Sequence, residues 1–396
     1  MSLCLTYALK ENLWYQIGSG EALIKIAQNK GDEIPTDKVR RIIRPEDLAI
    51  NESMKQLRKK HRLIGSYFFI YFVFLLQLLF LGCLSRALLS LCVNYGSVNM
   101  FDVCIIGHIT KDILRIKNEK KEMPGGVAYY FSIALKNLGS KVSLITKVAR
   151  KDKDLFNNLI RNDIPIFYKD SQKTTTFENI YSEDLDIRIQ KVKCVAQPFI
   201  SKDIPDISAR IFHFGPLTKE DIPLEMLKLV SKKAKVSLDI QGFLRKIEKG
   251  KVESVDWEEK EEALTYVNIL KTDETEAKIL SGEDNIRNAA EKLSAYSIDE
   301  IIITLGSKGS LIYSKGNFYS IPSFPPKKIV DATGCGDTYM AAYIYQRLKS
   351  SNIEKSGKFA AATASLKLEI LGPFQGSEED VLNSLEYQSI NKDNLR

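Results

Sequence analysis

Two glycines, a small residue and an aspartate stand together at Gly334-Cys335-Gly336-Asp337, within Asp331-Ala332-Thr333-Gly334-Cys335-Gly336-Asp337-Thr338. The residues that follow are good or neutral helix formers, with no Gly or Pro until Gly357. The spacing therefore predicts a helix whose first turn is Gly334 to Asp337. The first N–H groups of a helix lack intrahelical partners and carry the positive end of the macrodipole. Glycine lets that backbone approach an anion closely, so a phosphate seated there meets several donors at once. Asp337 would lie beside it as a carboxylate, a repulsive placement unless it takes a proton from an attacking hydroxyl. Capping alone also places aspartates at helix N termini, and these eight residues by themselves leave both readings open.

Other clusters carry chemistry of the same kind. Gly107-His108-Ile109-Thr110-Lys111-Asp112 follows a strand-like run, and a carboxylate at Asp112 can accept two hydroxyls of a vicinal diol. Pro124-Gly125-Gly126 precedes a helical run. Asp239, Gln241 and Arg245 come just past another strand. Arg245 there can balance phosphate charge late in transfer, or be an ordinary surface arginine. Asp273 and Glu276 lie three apart on one helix face, a spacing that suits the oxygen ligands of Mg²⁺ or an acidic N terminus favoured by the dipole. Thr304, Gly306 and Gly309 follow the strand Ile301-Ile302-Ile303. Such a turn can cradle phosphate or simply close a hairpin.

In order and spacing these clusters resemble the ribokinase-like (PfkB) carbohydrate kinase family, whose C-terminal signature reads Asp-Thr-x-Gly-Ala-Gly-Asp. Cys335 replaces the usual Ala, and the resemblance covers roughly residues 101–385. It implies an α/β fold with a doubly wound, mostly parallel sheet and a small β lid. It implies transfer of the γ-phosphoryl of ATP, with Mg²⁺, to a hydroxyl of a small carbohydrate or polyol. The roles it implies are Asp337 as general base and Gly334, Cys335 and Gly336 as anion hole. Asp112, Gly125, Gly126 and Tyr130 would hold the acceptor, and Thr304, Gly306 and Gly309 the nucleotide. Glu276 and Asp273 would serve the metal, with Asp273 in place of the family's Asn.

Ribokinases continue the Gly-Gly turn with Lys-Gly-Ala-Asn, the Asn touching ribose. This chain has Val127-Ala128-Tyr129-Tyr130, with Tyr130 at the Asn position. That looks more like the inositol and nucleoside branches, because tyrosine covers an apolar ring face while its hydroxyl stays polar. The expected acceptor is myo-inositol or a similar polyol. A nucleoside or furanose sugar is the alternative. The rival from another class is a non-catalytic sugar-binding regulatory module, against which the intact Gly334, Gly336 and Asp337 argue.

The elements that must position these residues alternate from Met100 onward, as a parallel α/β sheet requires. Strands are predicted at Val103–Ile106, Val142–Thr146, Ile211–Phe214, Val236–Ile240, Ile269–Leu270 and Ile301–Thr304. Helices are predicted at Val127–Leu138, Asp154–Asn162, Leu224–Lys233, Glu274–Leu280 and Ile286–Ala295. Residues 113–116 and 174–195 break the rhythm as β-rich insertions. They are expected to form the lid, since a phosphoryl-transfer site must exclude water.

Composition bounds the rest. Residues 1–99 hold 13 Lys and Arg against 8 Asp and Glu, and the other 297 hold 44 against 42. The nearly balanced larger part gives no case for nucleic-acid binding. The cysteines show no metal-type pairing and fit a reducing, cytoplasmic setting. The expected partner is a small-molecule substrate, and a homodimer is left open. Residues 1–99 are read as an extension to a kinase domain at 100–396. Within it Leu63 to Ser85 is an uncharged run of 23 residues, long enough to cross a bilayer as a helix. It is too far from Met1 to be a signal peptide. Three readings stay open: Met100 as the true start, a genuine membrane anchor, or a hydrophobic helix buried against the domain or a partner. As an anchor it would leave the kinase domain outside the cytoplasm by the positive-inside rule, in conflict with the use of ATP.

Overall fold

Runs such as Val103-Cys104-Ile105-Ile106 and Ile301-Ile302-Ile303 are apolar at every position, which a strand tolerates only when both its faces are covered. A computed structural model describes residues 100–116, 119–181 and 188–393 of the chain. The chain divides into two units, Met1–Gly96 and Ser97–Arg396, and all the described strands and helices belong to the second. The expected helix at 63–85 lies outside the described residues. Among the described residues no helix is long and apolar enough to cross a membrane.

The strands in chain order are β1 (Phe101–Ile106), β2 (Thr110–Ile116), β3 (Glu119–Gly125), β4 (Val142–Ala149), β5 (Ile166–Ser171), β6 (Thr176–Tyr181), β7 (Arg188–Cys194), β8 (Ala209–Phe214), β9 (Lys235–Asp239), β10 (Arg245–Glu248), β11 (Lys251–Ser254), β12 (Ile269–Asp273), β13 (Glu300–Thr304), β14 (Ser310–Ser314) and β15 (Asn317–Ile321). The helices are α1 (Val127–Asn137), α2 (Asn157–Arg161), α3 (Leu224–Ser231), α4 (Lys260–Ala263), α5 (Glu274–Ser281), α6 (Ile286–Ser294), α7 (Cys335–Lys349), α8 (Ile353–Leu368) and α9 (Glu378–Asp393).

Nine strands form the main sheet in the order β15-β14-β13-β12-β9-β8-β1-β4-β5. The seven from β13 to β5 run parallel, and β14 and β15 add an antiparallel edge. Alternate residues of one strand feed opposite cores. Val103 and Ile105 pack with α1, α7 and α8, while Cys104 and Ile106 pack with α3, α5 and α6. Chain order reverses at β1, whose neighbours are β4 on one side and β8 on the other. Open sheets bind ligands beyond the strand ends at such a point. The backbone there is crowded: a side chain on Gly107 would come within 2.7 Å of the Gly215 carbonyl.

The β-rich insertions form a second sheet, β3-β2-β6-β7, in which β2 and β6 run parallel. β3 was not anticipated, because Glu119-Lys120-Lys121-Glu122 has no apolar alternation. It is an edge strand, where charged side chains protect unpaired backbone from other chains. Val127, Phe177, Val192 and Leu217 pack this sheet onto α1. The β10–β11 hairpin braces its other edge, where Val192 N–H donates to the Gly250 carbonyl at 2.8 Å.

Candidate active site

Gly334 takes the left-handed conformation, φ 76° and ψ 10°, at the N-cap of α7. An added Cβ there would lie 2.3 Å from the Tyr130 ring, so the aromatic face rests directly on the glycine backbone. Only glycine meets both conditions. The turn before it is held by the Asp331 carboxylate, which accepts from Thr333 N–H at 2.9 Å, Gly372 N–H at 3.1 Å and Lys367 Nζ at 3.0 Å. Burial opposes ionisation of Asp331, but these bonds outweigh it and hold the carboxyl below its usual range. Burial pushes the Cys335 thiol up to about 12, so the first turn of α7 carries no thiolate to repel an anion.

A cavity of about 400 Å³ opens over this turn. Asp112, Gly126, Tyr130, Gly334, Cys335, Gly336 and Asp337 line it together. Asp112 is aimed by Thr110 Oγ1, which donates to its Oδ1 at 2.7 Å. Gly125 leaves the Asp112 carboxylate room, since a Cβ there would sit 2.3 Å from Oδ2. Tyr130 is almost fully buried, and its hydroxyl is raised well above the ordinary tyrosine range by burial and by Asp112, Asp331 and Asp337. It therefore stays a neutral phenol.

Asp337 is half-buried at the cavity wall. Burial raises its pKa to about 7, helped by the negative charge of Asp239 and opposed by Lys271 and Arg245. A carboxylate that titrates near neutrality is suited to take a proton from a hydroxyl.

Several contributors were not recognised from sequence. Lys271 on β12 is 5% exposed and pairs with the fully buried Asp239 at 2.9 Å. It is desolvated, yet Asp239, Glu276 and Asp337 hold it as an ammonium. Its Nζ lies 3.4 Å from where a Cβ on Gly336 would be, directly beneath the first turn of α7. The available signal was a lone lysine in the apolar run Ile269-Leu270-Lys271, a position a parallel strand reserves for buried side chains. Phe177 and Gln190 reach the cavity from the small sheet, and Leu217 from the loop after β8. Their role depends on the packing of distant strands, for which a single sequence holds no signal. Asp239, Gln241 and Arg245 were singled out in sequence: Asp239 accepts from Gln241 N–H at 3.1 Å, which turns the chain so that Gln241 and Arg245 line the cavity.

Gly125, Asp273, Glu276, Thr304, Gly306 and Gly309 do not line the cavity, although the Glu276 charge acts on both Lys271 and Asp337. Asp273 and Glu276 form a reciprocal capping box at the start of α5, each carboxylate accepting the other's N–H at 2.8 Å. Among the described residues no three His, Cys, Asp or Glu side chains converge as a metal site. Thr304, Gly306 and Gly309 are not on the cavity wall. Thr304 donates to the Thr272 carbonyl at 3.3 Å, and the two glycines shape the β13–β14 hairpin turn. Gly309 has φ 96°, and a Cβ on it would meet the Ile321 carbonyl at 2.1 Å, whereas Gly306 has open space around it. Gly309→Ala is expected to destabilise the fold by about 2–4 kcal/mol and Gly306→Ala by about 1 kcal/mol. Denaturant midpoints of the two variants check this. Equal midpoints would show that the hairpin does not depend on Gly309.

Residues 91–379 match the pfkB family of carbohydrate kinases. This chain belongs to that family. It is a phosphotransferase with a hydroxyl acceptor, on a ribokinase-like fold. It is 28% identical to the cytidine kinase of Thermococcus kodakarensis over 62% of this chain and 88% of that protein. It is 26% identical to inositol 3-kinase of Arabidopsis thaliana, over 68% of this chain and 74% of that one. Among solved structures it resembles a pyrophosphate-dependent kinase of the ribokinase family complexed with a pyrophosphate analog and myo-inositol. That similarity has a TM-score of 0.64 and 30% identity, covering 71% of this chain and 99% of the other.

Proposed function

We propose that this pfkB kinase transfers the γ-phosphoryl of ATP to a hydroxyl of a small cyclic polyol, myo-inositol or a close analogue. One observation carries the reading: Asp337, the α7 turn, Asp112 and the Tyr130 ring share a single cavity. Asp112 accepts hydrogen bonds from acceptor hydroxyls, and the aromatic face covers the ring's apolar side. Asp337 takes the proton of the attacking hydroxyl. The N–H groups of the α7 turn receive the transferred phosphoryl, and Lys271 and Arg245 offset its charge. Phe177 and Gln190 close the acceptor side against water.

Mg²⁺ binds proteins through one or two carboxylates plus water and substrate phosphates. The α5 cap fits that mode, because Glu276 Oε1 and Asp273 Oδ2 lie outside the reciprocal pair. Bound there through water, the ion would neutralise phosphate charge.

A second reading of the donor is inorganic pyrophosphate. It is favoured by the cavity wall, which includes Lys271 and Arg245 but none of Thr304, Gly306 and Gly309. The test is a matrix of ATP and pyrophosphate against myo-inositol, cytidine and ribose, read as ADP or phosphate release. Inositol is expected to be the best acceptor. Cytidine or ribose turned over about tenfold better than inositol would overturn the acceptor assignment. Binding of donor without turnover on any acceptor would favour the regulatory module.

A further inference from the structure

Lys367, near the end of α8, is fully buried, and its ammonium meets three oxygens. These are the Asp331 carbonyl at 2.8 Å, Asp331 Oδ2 at 3.0 Å and the Ile370 carbonyl at 3.5 Å. A buried ion pair is a poor way to gain stability, since its desolvation cost usually cancels its attraction and two apolar side chains of similar volume in place of the pair would serve as well. Its location suggests another purpose. Asp331 opens the turn that ends in Gly334, and Val330 N–H and Asp331 N–H both donate to the Leu368 carbonyl on the same side. Lys367 Nζ also stands 6.0 Å above the Tyr130 ring, the ring on which Gly334 rests. Peptide planarity then matters. With the Asp331 carbonyl drawn inward to Lys367, the N–H of Ala332 must point the opposite way, and Ala332 and Thr333 lie on the cavity wall.

We propose that Lys367 is a positioning residue whose ammonium acts as a built-in cation, holding the 331–334 turn so that the Ala332 N–H faces the phosphoryl group. This rests on the kinase reading above. The ammonium touches neither acceptor nor donor; it acts through the Asp331 peptide and adds positive potential behind the turn.

Lys367→Ala should remove the cation while leaving its oxygen ligands, a cage that a small monovalent cation can enter. Its kcat is expected to fall about 10–100-fold with little change in acceptor KM. Added ammonium or potassium should restore several-fold of that loss, while choline at equal ionic strength should not. Lys367→Met fills the same space without charge but leaves the Asp331 carboxylate without its cation. Because Thr333 and Gly372 N–H still hold that carboxylate, the variant should melt lower than the wild type yet stay folded, lose a similar amount of kcat and gain nothing from added cations. A second readout needs no turnover: the affinity of each protein for inorganic pyrophosphate, followed by thermal shift. It should weaken about tenfold in both variants and recover with ammonium only in Lys367→Ala. If the wild type turns over no acceptor, the kinase reading fails, and the pyrophosphate measurement still judges Lys367. A folded Lys367→Met with wild-type kcat and wild-type pyrophosphate affinity would overturn the proposal. So would a loss in Lys367→Ala that no cation relieves.

Discussion

Asp337→Asn is expected to lower kcat by about 10²–10⁴ while leaving donor KM nearly unchanged. Asn keeps the shape and removes only the ability to accept a proton. The pH profile makes the test specific. With a pKa near 7, Asp337 is a carboxylate above neutrality and a carboxylic acid below it, so wild-type kcat/KM should rise with pH through about 7 and then level. The residual activity of the variant should lack that acid limb. Stability should move the other way. A carboxyl whose folded pKa is raised loses stability as pH climbs from its unfolded value, near 4, to its folded value, near 7. Above that window the wild type carries the full penalty of an ionised, half-buried carboxylate. Asp337→Asn should therefore melt about 3–8 °C higher than the wild type at pH 8, with the gap closing toward pH 4. Near-wild-type turnover in the variant would sink the assignment of the base.

Lys271→Met should be costly in both activity and stability. It leaves Asp239, which is 1% exposed, without its partner. Removing one member of a buried pair typically costs about 3–5 kcal/mol. It also withdraws positive charge from beneath the α7 turn, and kcat/KM should fall about 10²–10³-fold. Because Lys271 depresses the Asp337 pKa, the acid limb of the remaining activity should shift to higher pH. Adding Asp239→Asn should recover much of the stability without recovering turnover, since the buried charge is gone but the phosphoryl group still lacks its cation. Thermal melts and pH–rate profiles of the single and double variants decide this. An unshifted limb would place Lys271 outside the electrostatics of the site.

The sequence was most legible where chemistry and backbone geometry coincide in a short stretch. Gly334 to Asp337 announced a helix start, and the helix does begin at Cys335. The buried strands β1, β4, β8, β9, β12 and β13 were readable because a parallel strand covered on both faces is mostly apolar. Short-range signals stayed ambiguous where two causes share one pattern. Gly309 answers to a neighbouring carbonyl in the β14–β15 hairpin, and Asp273 and Glu276 cap one another. A glycine turn or an acidic helix start looks the same in sequence whichever partner it meets.

By itself, then, the sequence determined the layered α/β plan and the acidic residue at the head of α7, because periodicity and helix-start chemistry are local properties. Only the tertiary structure decided which charges meet. Lys271 reaches Asp239 from 32 residues away, Lys367 reaches Asp331 from 36, and the Tyr130 ring lies under Gly334 although α1 and α7 are about half the chain apart. Those contacts are set by the order in which strands enter the sheet. No window of neighbouring residues encodes that order, because it minimises the free energy of the whole core.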